Sequence, residues 1–457
     1  MSLPTHYDTE DTIAAVATPI GSGGVGIVRL SGPRAGEILR QVFSRPDALT
    51  PRYLAYGHIV DSADGRTVDE VLAVWMPAPR TYTRQDVVEI DCHGGPEPLR
   101  RVLDLCLAQG ARLAGPGEFT LRAFLNGRLD LAQAEAVADV VEAKTDAGLR
   151  LAVAQLGGQL SGQIASLRAR LLGALAWIEA SIDFEEDEIP EADLDGDLEA
   201  AQEALVALVA GAERGVIYRQ GIHTAIVGQP NVGKSSLLNA LLRVERAIVT
   251  PIPGTTRDTL EETLNLHGIP LVLVDTAGIR DAPRDEAEGL GVARSREAIS
   301  RADLVLLVVD SSRPVDAGDR EIASLAGNKP AIVVANKTDL PAVPIAADLL
   351  LNSPRVEISA LTGAGIDDLE EAIRERVFAG QVLASDEALV SSPRHRDVLR
   401  RALEHVDAAV HARREGLPLD FVSIGLHSAV NALGEITGET VSETLLETIF
   451  SRFCVGK

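Results

Sequence analysis

Cysteine is scarce in this chain. Its 457 residues include only Cys92, Cys106 and Cys454, an odd number, widely spaced and without a C-x-x-C pair. That excludes a disulfide framework and a zinc ribbon, and it fits an ordinary reducing cytosol. Long apolar runs are missing too: none reaches the roughly eighteen residues of a membrane helix, and no basic-then-apolar leader opens the sequence. The expectation is a cytoplasmic protein with no membrane span. Positive charge is also short, 43 Lys and Arg against 67 Asp and Glu, for a formal net charge of −24. A field of that sign repels nucleic acid, so an RNA partner would need a local basic surface. What is present is apolar mass: 46% hydrophobic residues over 457 positions are enough for two to four domains with buried cores.

The most informative stretch is Gly228-Gln-Pro-Asn-Val-Gly-Lys-Ser235, a phosphate-binding loop of the form G-x-x-x-x-G-K-[ST]. Residues 222–227 read as a buried strand before it and residues 235–242 as a helix after it. Backbone N–H groups freed by the glycines and the helix start can cradle phosphates, Lys234 can reach the terminal ones, and Ser235 can ligate Mg²⁺. A glycine-rich turn alone is often just a tight connection. Here three further elements follow in order: Asp275-Thr276-Ala277-Gly278, Asn336-Lys337-Thr338-Asp339 and Ser359-Ala360-Leu361. The carboxylate of Asp339 matches the two donors on guanine's edge, which adenine lacks, so the nucleotide reads as GTP. Asn336 and Lys337 are expected to pack against the base, with Ser359 and Ala360 closing its far edge.

Ahead of this region, residues 11–30 read as two short strands around a glycine-rich turn, with Arg29 in the second strand. Strands are expected at residues 70–76 and 86–92 and a helix at 96–109. Glu89 lies in an alternating strand where charge usually faces solvent, and residues 92–96 read as a turn. Residues 121–184 carry helical-bundle periodicity, with Leu131, Ala134, Val137, Val140 and Val141 on one face. Residues 184–199 hold nine acidic residues and no basic one, which reads as a solvated loop and helix start. Around the phosphate loop, apolar strands at 271–274, 304–310 and 331–335 alternate with helices, as in a doubly wound, mostly parallel sheet. Residues 394–414 and 426–453 are helical again and too short to bury a core alone, so they are expected to pack on the earlier helices. Arg394, Arg396, Arg400, Arg401, Arg413 and Arg414 make this part locally basic, read first as a solvated helix face and only secondarily as an RNA contact.

A Ras-like site uses a glutamine after D-x-x-G to orient water; here that position is Ile279, so another group must act, and the charged run 280–294 supplies candidates. The carbonyls of residues 247–255, with the side-chain oxygen of Asn231, can wrap a monovalent cation beside the phosphates, where it would stabilise charge as an arginine finger does elsewhere. Asn231 as a simple loop cap is the plainer alternative.

Taken together, these residues resemble the MnmE (TrmE) family of bacterial tRNA-modification GTPases, and the likeness spans nearly the whole chain. It is carried by residues 17–29 (Ala17-Thr-Pro-Ile-Gly-Ser-Gly-Gly-Val-Gly-Ile-Val-Arg29), 115–126 (Gly-Pro-Gly-Glu-Phe-Thr-Leu-Arg-Ala-Phe-Leu-Asn), 129–136 and the terminal Phe453-Cys-Val-Gly-Lys457, which generic GTPases lack. The resemblance implies a multidomain α/β plus all-α fold: an N-terminal α/β tetrahydrofolate-binding and dimerisation domain at 1–120, a helical-bundle domain in two parts at 121–219 and 381–457, and an inserted Ras-like G domain at 220–380. It implies GTP contacts by Asn231, Val232, Gly233, Lys234, Ser235 and Ser236, by Thr250, Pro251, Ile252, Pro253, Gly254, Thr255 and Thr256, by Asp275, Thr276, Ala277 and Gly278, and by Asn336, Lys337, Asp339, Ser359, Ala360 and Leu361. Ser235 and Thr256 match the magnesium ligands; Asn231, Thr250, Ile252 and Thr255 match the potassium positions, where Pro251 and Pro253 stiffen the loop. Glu288 matches the water-orienting glutamate, which with Lys234 and Cys454 makes the catalytic set. The folate contacts fall on Arg29, Glu89, Arg128 and Lys457, with Arg128 standing where lysine is common.

The resemblance further implies a homodimer working with an FAD-containing MnmG partner in a heterotetramer. The reaction it implies attaches a carboxymethylaminomethyl or aminomethyl group to C5 of the tRNA wobble uridine, with 5,10-methylene- or 5-formyl-tetrahydrofolate as one-carbon cofactor. The competing reading is a ribosome-assembly GTPase of the Era or Der type. Neither an RNA-binding KH module nor a second G domain is present to favour it.

Overall fold

The computed structural model describes residues 9–183, 193–244, 262–274, 288–327, 329–344, 349–350, 353–378 and 390–457. The chain divides into two compact units, one formed by Met1–Val141, Ala154–Leu205 and Val398–Lys457, the other by Glu142–Val153 and Val206–Asp397. Among the described residues no helix is long and apolar enough to cross a membrane.

The first unit begins with a six-stranded sheet in the order β3-β4-β5-β2-β1-β6. Its strands are β1 (Ile13–Val16), β2 (Gly23–Ser31), β3 (Ala55–Val60), β4 (Thr67–Met76), β5 (Val87–Gly94) and β6 (Arg112–Leu113). β1 and β2 form the antiparallel pair expected from residues 11–30. β3 and β6 have no strong signature in the sequence, because their apolar alternation is short and broken by polar residues. Residues 92–94, read as a turn, instead complete β5, and the chain breaks only at Gly95 ahead of α2 (Pro96–Ala108), whose first-turn proline suits a helix start.

Strand alternation sorts this sheet's two faces. Val28, Leu30, Val88 and Ile90 form a core with Ile38, Leu39 and Val42 of α1 (Ala35–Val42) and with Leu99, Val102 and Cys106 of α2. Ile13 and Ala15 lie in a separate cluster with Ala114, Phe119 and Tyr82. Arg29 and Glu89 are directly opposed in the β2–β5 register, and Arg29 is opposite Ala15 across β1.

The same unit contains α3 (Glu118–Leu125), α4 (Leu131–Glu142) and α6 (Gln159–Asp183), after α5 (Asp146–Leu156). Leu121, Leu131 and Ala134 bury against Leu446, Ile449, Phe450 and Phe453. The C-terminal segment therefore packs on the earlier helices, as its apolar spacing requires. Arg168 of α6 donates from Nε to the carbonyl of Val430, 3.2 Å away, and pairs with Glu439.

In the second unit, β7 (Ile222–Val227), β9 (Ile269–Val274), β10 (Leu304–Asp310), β11 (Ala331–Asn336) and β12 (Arg355–Glu357) are parallel, and β8 (Glu262–Leu266) is added antiparallel at one edge. The order is β12-β11-β10-β7-β9-β8, so the winding reverses at β7. Two separate apolar clusters cover the faces: Ile226, Leu271, Leu306, Ile332 and Leu369 lie in one, and Ala225, Val227, Leu307, Val333 and Ile322 in the other. Burial on both sides is why these strands read as unbroken apolar runs. The edge strands β8 and β12 do not, and the sequence does not announce them. Ala147, Leu151 and Tyr218, within the stretch assigned from sequence to the helical part, lie in the nucleotide unit's core. α7 (Leu194–Gln220) ends just before β7.

Candidate GTP and folate sites

In a parallel sheet the strand ends carry the ligand loops, and a nucleotide sits where the winding reverses. Here that place is the end of β7. Residues 228–233 turn the chain into α8 (Lys234–Val244), with Gly233 at φ +101°. A Cβ on Gly233 would stand 2.1 Å from Nδ2 of Asn336, so only glycine fits. Asn231 also takes left-handed backbone, φ +63°, which asparagine tolerates better than other side chains. Lys234 folds its ammonium onto its own loop, donating to the carbonyls of Gly228 and Gln229, both at 2.8 Å. Burial pulls its pKa below the usual lysine value. Ser235 and Ser236 are exposed in the first turn of α8.

The base-reading residues converge on the same edge. Asn336 ends β11 and is buried; its Nδ2 donates to the carbonyl of Val232 at 2.8 Å, and its Oδ1 accepts from the Ala360 amide at 3.0 Å. Its side chain thus braces the phosphate loop to the Ser359–Ala360 loop. Lys337, at φ +72°, pairs with Asp310 at 2.6 Å. Asp310 is partly desolvated, which raises its pKa, but hydrogen bonds from Lys337 and Ser312 outweigh this and hold the carboxyl below its ordinary value. Ser359 donates from Oγ to Oδ1 of Asp339 at 2.6 Å, which orients an otherwise exposed carboxylate. Leu361 is exposed at the rim. Gln229, unremarked in the sequence, donates to Asp316 at the start of α10 (Ala317–Ala326) and accepts from Arg313 at 3.3 Å. Thr250, Pro251, Ile252, Pro253, Gly254, Thr255 and Thr256, and Asp275, Thr276, Ala277 and Gly278, lie outside the described residues. Glu288 opens α9 (Glu288–Arg301), and its side chain lies outside them too.

The first unit builds its site from side chains. Arg29 donates from Nε to Oε1 of Glu89 at 2.8 Å, and its NH2 contacts the same oxygen at 2.8 Å. Both groups are about a quarter exposed, and Oε2 of Glu89 has no partner among the described residues. Arg29 NH1 donates to the carbonyl of Gly456 at 3.2 Å, so strand β2 holds the last residues of the chain. Gly456 is at φ +97°, and a Cβ there would come within 2.4 Å of the Val16 carbonyl. Val455 bridges to Pro116. Burial lowers the pKa of Lys457, with nearby Cys454 opposing and Arg29 reinforcing the shift. Cys454 is exposed, whereas burial pushes the Cys92 and Cys106 thiols up to about 12. Arg29 lies 5.9 Å from the Phe119 ring centroid, and Arg128 lies 4.7 Å from that of Tyr82.

Behind this pocket sits a charge cluster that no motif advertises. Arg122, 1% exposed, pairs with Glu118 at 3.0 Å and with Asp11, and donates to the Asp11 carbonyl at 2.8 Å. Arg112 reaches Glu118 and Asp11, both at 2.6 Å. Glu118 and Arg122 lie in the 115–126 stretch that carries the family likeness, but nothing in the sequence links them to Arg112 and Asp11.

A phosphate loop at the winding reversal, an aspartate set to read guanine and a lysine aimed along the loop define a P-loop GTP-binding protein of the Ras-like class. A family model for the N-terminus of the GTP-binding protein TrmE matches residues 12–128, and one for the MnmE helical domain matches residues 131–454. Proteins named tRNA modification GTPase MnmE from Roseiflexus sp. and Chloroflexus aurantiacus are each 52% identical, with 98% of this chain aligned to 99% and 100% of theirs. That from Geobacter sulfurreducens is 51% identical over 98% of this chain and 99% of its own. The chain belongs to the MnmE family of tRNA modification GTPases. A ribosome-assembly switch of the Era or Der type is displaced by this match along the whole chain.

Proposed function

We propose that this protein is a potassium-dependent GTP hydrolase of the cytoplasm that, as a homodimer with an FAD-containing MnmG partner, modifies C5 of the wobble uridine of tRNA using a tetrahydrofolate one-carbon donor. The observation that carries the reading is the meeting of Arg29, Glu89 and Gly456 in one partly exposed cluster, in a chain that also holds Asp339, oriented by Ser359, in its guanine-type motif. A pterin offers paired N–H donors like those of guanine, and the unshared Oε2 of Glu89 fits them. Folate supplies a one-carbon unit when bound. Arg29 orients Glu89, the buried Phe119 ring backs the Arg29 guanidinium, and Arg128 and Lys457 provide positive charge. Domains at 1–120, 121–219, 220–380 and 381–457 are part of this proposal.

On the nucleotide side, Ser235, at the start of α8, and Thr256 are assigned to hold magnesium, which would supply charge neutralisation at the phosphates. Asn231, exposed and left-handed, is the described member of the potassium set with Thr250, Ile252 and Thr255. Glu288 is assigned to orient water and Cys454 to the modification step. The test is nucleoside analysis of tRNA from cells lacking the chain, together with GTP turnover in KCl and in NaCl. Loss of the C5 substituent and turnover that requires potassium are expected; unaltered wobble uridines would overturn the reading, and equal turnover in the two salts would remove the cation assignment.

A further inference from the structure

Three guanidinium groups, those of Arg80, Arg84 and Arg128, line one open depression of about 490 Å³ together with Pro79, Thr81 and Tyr82. None of the three makes an ion pair among the described residues. Arg84 NH1 donates to the carbonyl of Asn126 at 2.9 Å and Arg128 stacks on Tyr82, which leaves most of their donors facing outward. Arg52 donates to the carbonyls of Arg80 and Pro77 at 2.8 and 2.9 Å, holding the 77–80 segment and adding a fourth positive charge. The arginine-rich helix α11 (Pro393–Arg414) behaves oppositely: Arg401 pairs with Glu435, Arg413 with Asp195 and Arg414 with Glu199. In a chain of net charge −24, an uncompensated arginine cluster is where a polyanion is attracted.

Tyr82 connects this depression to the Arg29 pocket. Its hydroxyl hydrogen-bonds Thr120 at 2.9 Å, its ring packs on the Phe119 cluster, and Arg29 lies 5.9 Å from the Phe119 ring centroid. A ligand whose flat end occupies the Arg29–Glu89 pocket would therefore send its far arm past Tyr82. Reduced folates carry a glutamate on that arm, and each further γ-linked glutamate adds a carboxylate.

We infer that the Arg80–Arg84–Arg128 depression binds the γ-glutamyl chain of a polyglutamylated folate and so selects polyglutamate over monoglutamate forms. The inference rests on the folate reading of the adjoining pocket. Guanidinium forks match carboxylates in number and geometry. Single-stranded RNA fits less well, because the Tyr82 face on which a base would stack is already covered by Arg128.

The test measures equilibrium binding of 5-formyl-tetrahydrofolate monoglutamate and pentaglutamate to the full chain and to an Arg80→Gln/Arg84→Gln variant, with tRNA binding in parallel. The wild type should prefer the pentaglutamate by about tenfold or more, as one or two added charge-assisted contacts imply. The variant should lose that preference while holding monoglutamate within about twofold, which also shows that it is folded. Equal wild-type affinity for the two forms overturns this inference and leaves the folate pocket standing. A preference that survives in the variant, with tRNA binding reduced, overturns it in favour of RNA. A wild type that binds neither form overturns the folate reading and this inference with it.

Discussion

The two sites solve opposite problems. The nucleotide site holds its phosphates mainly through backbone and reads the base with one side chain, Asp339: residues 228–233 present amides, and Asn336 serves by tying loops together. The β2 site is built from long side chains whose charges are withdrawn from solvent and must be paired to stay there, Arg29 with Glu89 and, behind them, the fully buried Arg122 with Glu118 and Asp11. Each site still borrows from the other's means: the phosphate loop depends on the Lys234 charge, and the β2 site has one position, Gly456, where no Cβ fits. Even so, each glycine or charge should have its effect confined to its own ligand.

The largest effect should come from Lys234→Ala, which removes the charge that follows the phosphates. GTP turnover should fall by about a hundredfold or more, the scale seen when one transition-state donor is lost, with folate affinity unchanged; a parallel loss of folate binding would break the separation. Gly456→Ala is the mirror case. Its Cβ would meet the Val16 carbonyl at 2.4 Å in a backbone conformation at φ +97° that alanine resists. Folate affinity should drop by about ten- to a hundredfold, following from 1–3 kcal/mol of strain, while GTP turnover holds.

Asn336→Ala should lower the stability of the nucleotide unit by about 1–3 kcal/mol, because the Val232 carbonyl and the Ala360 amide lose their partner. Denaturant unfolding followed with and without GTP would register it. The smallest effect concerns pH. Burial works to raise the Glu118 and Asp11 carboxyls, but Arg112 and Arg122 outweigh it and hold both below their ordinary values. A depressed carboxylate stabilises the fold above its unfolded pKa, about 4 for Asp and Glu, and that stability is lost as pH falls through the folded value. The first unit's melting temperature should decline on acidification below about pH 4, and Glu118→Gln should flatten that decline. An identical pH slope in the variant would show that the cluster does not govern acid sensitivity.

Legibility followed the same division. The phosphate loop, Asp339 and the buried strands β7, β9, β10 and β11 could be read directly, since each is contiguous and its period or motif is local. Glu89 could not: alternation put its charge toward solvent, and only the cross-strand register brings it to Arg29. The Arg29–Gly456 contact could not be read either: family likeness singled out Arg29 and Lys457, and no spacing rule links positions 427 apart. The edge strands β3, β6, β8 and β12 escaped notice for want of a two-sided apolar signal. The bracing role of Asn336 and the Gln229–Asp316 link are properties of packing that no single stretch encodes.

The Arg29–Gly456 hydrogen bond also fixes a birth order. A ribosome adding about 5 to 20 residues per second takes roughly 20 to 90 seconds to cover the 427 positions between them. In that interval the β2 strand and the whole Val206–Asp397 segment of the nucleotide unit have already been translated. If the folate proposal holds, products of messages cut short in their last codons, which lack this contact, are expected to bind guanine nucleotide and not pterin.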